Sequence, residues 1–328
     1  MSYEKELLKK LILIPSISGQ EDAVGKYLFN LLIECGFETK KYSVEKDRYD
    51  IVAKIGNPKI YLSAHMDTVA PLLKYKETKT QIFGRGSCDT KASIATMITA
   101  AIKAKKQGIN NIGLIFTVGE ESTLDGAKAI VKSKINIPFV IVGEPTSMEI
   151  VNGHFGILVI KISAKGKSAH SSKPEKGVNA IDILLETIKK VKEISLYSET
   201  LMSLVKIDGG IADNIIPDEA NAVFSFRISP KDTNDYPKIF KSFETENLKV
   251  SVLQEVRPIF CKVPKELSFI KTIRTVKYFT ELSFYKNGIV LGPGDIQYAH
   301  GKEEMIEKKE LPKAVSIYTK ILENFSSK

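Results

Sequence analysis

Seven polar side chains fall where the chain could assemble one reactive centre. His65 and Asp67 follow the apolar run 59–64, and Asp89 closes the turn Gly84-Arg85-Gly86-Ser87-Cys88. Glu120 and Glu121 follow 112–118, Glu144 follows 138–142, and His300 follows the short run 289–291. If these runs are parallel strands, their carboxyl ends share one edge, where open α/β sheets bind ligands. His65 would then meet His300, 235 positions further along the chain. Imidazole with carboxylate suits zinc or cobalt, whereas an all-oxygen set would suit magnesium or calcium. Two histidines and three carboxylates exceed what one tetrahedral ion needs. They suit two ions that share a bridging carboxylate and hold a water between them. Of the adjacent acids Glu120 and Glu121, one can bind metal while the other takes the water's proton. Asp67, two residues after His65, is placed to accept the free imidazole N–H. Each residue also has a bland reading: Asp89 as a helix cap, Glu120-Glu121 as an exposed pair, Glu144-Pro145 as a turn. Coincidence at five such places argues against those readings.

The elements that must position these groups can be read from periodicity. Residues 3–14 put Leu7, Leu8, Leu11 and Ile14 on one helical face, ended by Pro15. Further helices are expected over 21–35, Lys91–Lys106 and Asp125–Lys132, alternating with the apolar runs. That alternation gives an α/β fold with a mixed, largely parallel sheet and flanking helices. After Gly156 the texture changes. Strands at 157–164, 203–208, 220–228 and 249–256, with helices at 178–194 and 236–243, give the split βαβ order of a ferredoxin-like α+β layer. A last helix is expected from about 303 to 324. The chain therefore divides into one domain of residues 1–156 and 262–328 and an inserted one of 157–261.

Composition narrows the classes. Of 328 residues, 43% are apolar and 27% charged, which excludes disorder and collagen-like repeats. The net charge is +9, yet only five basic residues are Arg, and the Lys are scattered. That pattern disfavours a nucleic-acid reader and suits attraction of an acidic partner. Three distant cysteines, Cys35, Cys88 and Cys261, argue against a disulfide framework and for a reducing cytoplasm. No apolar run has the length of a membrane span or a signal-peptide core, so neither a membrane nor nucleic acid is expected as a partner.

The motifs Ser63-Ala64-His65-Met66-Asp67, Gly84-Arg85-Gly86 with Asp89-Thr90-Lys91, Gly119-Glu120-Glu121, Gly143-Glu144-Pro145-Thr146, Gly292-Pro293-Gly294-Asp295 and Ala299-His300 belong together. In order and spacing the set resembles the zinc-dependent amidohydrolase/exopeptidase family of acetylornithine deacetylase and succinyl-diaminopimelate desuccinylase. The resemblance implies two divalent ions per subunit, zinc or cobalt. It assigns His65 and Glu144 to one ion, Glu121 and His300 to the other, and Asp89 to both. It makes Glu120 the general base and Asp67 the residue that orients His65. In the inserted layer, Gly166 and His170 resemble the family's dimerisation domain, in which the histidine supports the oxyanion in a partner's site. Asn214, Arg227 and Gly294 match substrate-binding positions. One departure is Ala92-Ser93 after Lys91, where the family usually has glycine. The compact chain and the Gly-Glu-Pro-Thr motif most resemble the branch that releases lysine or ornithine from an acidic amino-group carrier protein. The activity implied is hydrolysis of that linear amide in lysine and arginine biosynthesis, by a cytoplasmic homodimer. The alternatives are a small-molecule deacylase for acetylornithine or succinyl-diaminopimelate and, third, a dipeptidase.

Overall fold

The computed structural model describes residues 2–270 and 273–326, the side chains of 273 and 274 excepted. The chain forms two compact units. The first comprises Met1–Gly153, Cys261–Thr275 and Thr280–Lys328; the second comprises His154–Phe260 and Val276–Phe279. The boundaries thus differ from the expected 1–156, 157–261 and 262–328. Phe155 donates its N–H to the Val276 carbonyl at 3.0 Å, which ties the short segment 276–279 to the second unit.

The first unit is built on a mixed sheet. Its strands lie in the order Glu38–Glu45, Arg48–Ile55, Ile112–Thr117, Tyr61–His65, Val140–Val142, Gly288–Val290 and Ile150–His154. The four from Ile112–Thr117 to Gly288–Val290 run parallel, and the flanking pairs are antiparallel. All four parallel strands are buried at every position, as expected when both faces are covered. Helices α1 (Tyr3–Leu13), α2 (Asp22–Glu34), α3 (Lys91–Lys106), α4 (Asp125–Lys132) and α7 (Glu310–Ser326) cover the sheet and one another. The core includes Leu62, Ala64, Leu114, Phe116 and Ile141 from the strands with Ile94, Met97, Tyr318 and Ile321 from α3 and α7. Register places His65 opposite Thr117 and Ser63 opposite Val142, so the strand ends align at one edge.

The second unit carries a four-stranded antiparallel sheet in the order Leu201–Gly209, Glu219–Ile228, Gly156–Lys165, Leu248–Val256. With α5 (Ala180–Lys192) and α6 (Tyr236–Lys241) this is the split βαβ order. Leu158, Ile160 and Ile162 alternate into its core against Phe224, Phe226, Leu184 and Phe240.

The sequence reading erred at one helix. Residues 305–307 form a strand antiparallel to Gln81–Phe83, and α7 begins only at Glu310. The acids at 303–304 look like a helix start, but pairing with a distant strand wins. Among the described residues, no helix is long and apolar enough to cross a membrane.

Candidate active site

The parallel strands deliver their ends to one place. His65 is the last residue of Tyr61–His65, and its Nδ1 lies 2.9 Å from the Asp67 carbonyl and 3.5 Å from the Asp67 carboxylate. With Nδ1 donating to that carbonyl, Nε2 is the nitrogen turned to the other carboxylates. It points at Asp89 Oδ1, 3.0 Å away, and lies 3.8 Å from Glu144 Oε2. Asp89 Oδ2 faces the other histidine, 3.3 Å from His300 Nε2, which also lies 2.9 Å from Glu121. One Asp89 oxygen therefore serves each imidazole. Ligand atoms of His65, Asp89 and Glu121 lie within 4.8 Å of one another.

Local sequence explains each placement. Thr90 immediately precedes α3 and donates its hydroxyl to the His65 carbonyl at 3.0 Å, which ties the helix to the strand end. Asp89 does not cap that helix. Lys91 is buried and donates to the Leu11 and Ile14 carbonyls at 3.0 and 2.9 Å, closing the end of α1. Ser93, in the Ala92-Ser93 pair after Lys91, donates its hydroxyl to the Gly143 carbonyl just before Glu144. Gly119 turns the chain after Ile112–Thr117 with φ +70°, a conformation in which a side chain is strained. Glu120 and Glu121 follow it, and both donate their main-chain N–H to the buried Asp67 carboxylate, at 3.0 and 3.1 Å. His300 itself sits at φ +60°, which costs an L-residue about 1–2 kcal/mol and turns its imidazole to Asp89 and Glu121.

The electrostatics follow from crowding. Burial alone would depress the His65 pKa, but Glu144, Asp67 and Asp89 outweigh it and hold it well above the ordinary value. Hydrogen bonds to Asp89 and Glu121 push His300 up to about 10. Asp89 is lowered, because His300 and His65 overcome its burial. Burial pushes Glu120 and Glu144 well above the carboxylate range and also raises Glu121. Such a strongly negative place attracts positive charge. A divalent cation can supply it in place of the imidazole protons. The residues fit that group: Glu144 Oε1 is buried with no hydrogen-bond partner, and the imidazole nitrogens and carboxylate oxygens gathered here are the donor set a divalent ion such as zinc takes.

The remaining predicted residues divide. Gly294 lies in the first unit at φ +88°. Its N–H donates to Glu310 Oε2 at 2.8 Å, and a Cβ there would approach Cys88 Sγ to 2.6 Å. His170, Asn214 and Arg227 belong to the second unit. There His170 pairs with Ile215, and the neighbouring Ser171 N–H donates to the Asn214 carbonyl at 2.9 Å. Two residues far apart in sequence are thus brought side by side. The Ser172 N–H donates to His170 Nδ1 at 3.1 Å, which leaves the proton on Nε2 as an available donor. Arg227 stands on the strand Glu219–Ile228, and its Nη1 is buried without an acceptor.

Sequence reasoning missed three groups. Ser18 donates to Asp67 Oδ2 at 2.6 Å. Glu281 is fully buried, and burial pushes it up to about 7 against the opposing effect of the nearby Thr117 hydroxyl. Glu304 holds the turn that carries Asp89. The acidic pair Glu303-Glu304, three and four residues past His300, reads in the sequence only as a helix start.

Fold and site define a hydrolase built around a histidine–carboxylate cluster. Residues 61–324 match peptidase family M20/M25/M40, and the chain belongs to that family. A protein of Paracoccidioides brasiliensis described as "Probable carboxypeptidase" is 32% identical over 94% of this chain and 82% of its own length. A tripeptidase structure from Staphylococcus aureus superposes with a TM-score of 0.86 at 22% identity, covering 99% of this chain and 98% of that one. A dinuclear metal-binding peptidase of this family from Bacillus subtilis gives 0.74 at 13% identity, covering 97% and 96%. The protein is accordingly a hydrolase of peptide or amide bonds.

Proposed function

We propose that the centre holds two divalent ions, zinc or cobalt, and hydrolyses the amide joining lysine or ornithine to an acidic amino-group carrier protein. The observation that carries the metal reading is Asp89, one oxygen towards each imidazole, with Glu144 Oε1 buried and unpartnered beside it. His65, Glu144, Asp89, Glu121 and His300 would hold the ions. Bound there, the ions would polarise the substrate carbonyl and acidify water. Glu120 takes the proton of the attacking water as its oxygen bonds to the carbonyl carbon. The C–N bond then breaks, and Glu120 returns that proton to the leaving amine. Asp67 keeps Glu120 and Glu121 in place through their main-chain N–H groups. His170 supports the oxyanion from a second copy of the chain through its Nε2–H. Asn214 and Arg227 bind a substrate carboxylate, for which the unpartnered Arg227 Nη1 is suited, and Gly294 lies in the loop beside the substrate.

The carrier is supported by the net charge of +9, which steers acidic proteins. The description of the Paracoccidioides relative favours a second reading, release of a C-terminal amino acid from peptides. A side-by-side assay separates these readings. Metal-loaded protein is given carrier-linked lysine, acetylornithine, succinyl-diaminopimelate and peptides with free carboxyl ends. The expected result is the highest kcat/KM on the carrier, with a KM that rises with salt more steeply than for acetylornithine. Preference for peptides, or equal salt responses, overturns the carrier assignment.

A further inference from the structure

The stretch that follows His300 returns to the site a second time. Residues Met305–Glu307 pair with Gln81–Phe83, and the Gly84 N–H donates to the Glu304 carbonyl at 3.1 Å. This docks the Glu304 side chain, 1% exposed, beneath the turn Gly84–Asp89. Its Oε1 accepts the main-chain N–H groups of both Cys88 and Asp89, each at 2.9 Å. Its Oε2 pairs with Arg85 Nη1 at 2.9 Å. Arg85 is itself buried and donates Nε to the Pro71 carbonyl at 3.1 Å. The two oxygens thus do separate jobs: one gathers the amides that set where Asp89 begins, and the other is locked by a guanidinium.

We infer that Glu304 is a positioning residue for the metal centre, acting through Asp89, with Arg85 fixing the orientation of its carboxylate. The inference rests on the reading of Asp89 as a ligand shared by two ions. Asp89 can face His65 and His300 together only if its main chain is held, and Glu304 is the side chain that holds it. A buried carboxylate suits this role because it accepts from several donors at once and can donate to none.

Charge and geometry give opposite predictions for the paired substitutions. In Glu304→Gln the amide oxygen can still accept both N–H groups, but its NH2 then faces the Arg85 guanidinium, donor against donor. Arg85→Met removes that conflict. Metal-free wild type, Glu304→Gln, Arg85→Met, the double variant and Asp89→Asn are titrated with cobalt(II) and followed by visible absorption, alongside their thermal unfolding. Glu304→Gln is expected to weaken cobalt binding about 10–100-fold, as removal of such outer partners does. The double variant is expected to bind better than Glu304→Gln, whatever its melting temperature. Wild-type affinity in Glu304→Gln overturns the inference. So does a double variant that binds no better than the single one, because losses that only accumulate mark a purely structural residue. Asp89→Asn separates this from the underlying reading. Cobalt binding that survives Asp89→Asn removes Asp89 as a ligand and the inference with it. Binding lost there but kept in Glu304→Gln removes the positioning role alone.

Discussion

Replacing Asp67 with Asn isolates what its carboxylate does for the two glutamates. Asp67 is fully buried. Its Oδ1 accepts the Glu120 N–H at 3.0 Å, and its Oδ2 accepts the Glu121 N–H at 3.1 Å and the Ser18 hydroxyl at 2.6 Å. Asn keeps the shape but offers one oxygen in place of two. Either way round, its NH2 meets a main-chain N–H that can only donate. A hydrogen bond to a charged acceptor contributes about 1.5–3 kcal/mol, and a buried donor left without a partner costs about 1–3 kcal/mol. Asp67→Asn should therefore destabilise the metal-free protein by roughly 3 kcal/mol. It should also lower metal affinity about 10–100-fold through the displaced Glu121. The imidazole of His65 should be less affected, because its nearer contact is the Asp67 main-chain carbonyl, which Asn retains. Urea unfolding and cobalt titration of the metal-free variant test both numbers. Unchanged stability with an affinity within about twofold of wild type would refute the role given to this carboxylate.

Glu120→Ala should abolish turnover while metal content stays at that of the wild type; loss of metal would instead make Glu120 a ligand. His170→Ala should also lose turnover with metal retained, and mixing it with Glu120→Ala should restore activity through hybrid dimers. No recovery under verified subunit exchange would place His170 in service of its own chain. Glu281 reports through pH. Its folded pKa is raised by burial to about 7, from the ordinary value of 4.5, so its contribution to stability is full below the unfolded value and lost as pH rises through about 7. In metal-free protein, Glu281→Gln should therefore raise the melting temperature more at pH 8 than at pH 5, and equal shifts at both would contradict the burial argument.

The parts legible in the sequence share a physical cause. His65, Glu120, Glu121 and Glu144 stand out because they interrupt apolar runs just where buried strands end, and α3 stands out because Gly108 stops its periodicity. Burial on both faces gives such strands a continuous apolar signature. The strand Glu38–Glu45 lacks that signature: it lies at the sheet edge, largely exposed, and its lysines and glutamates read as surface. The strand at 305–307 was hidden by acidic residues that resemble a helix start. Glu304 was illegible for a different reason. Its partners are Arg85 and two main-chain amides, all more than 200 positions away, and no residue type announces an amide in need of an acceptor. Glu281 gave no pattern either, since only tertiary packing makes the lone acid of the short turn Glu281–Phe284 fully buried.

The most direct test is anomalous diffraction from crystals grown with cobalt(II), read together with the cobalt content of the dissolved crystals. Two peaks are predicted, both among His65, Asp89, Glu121, Glu144 and His300, with Asp89 reaching each. A single peak, or cobalt bound elsewhere while these side chains hold none, would contradict the account.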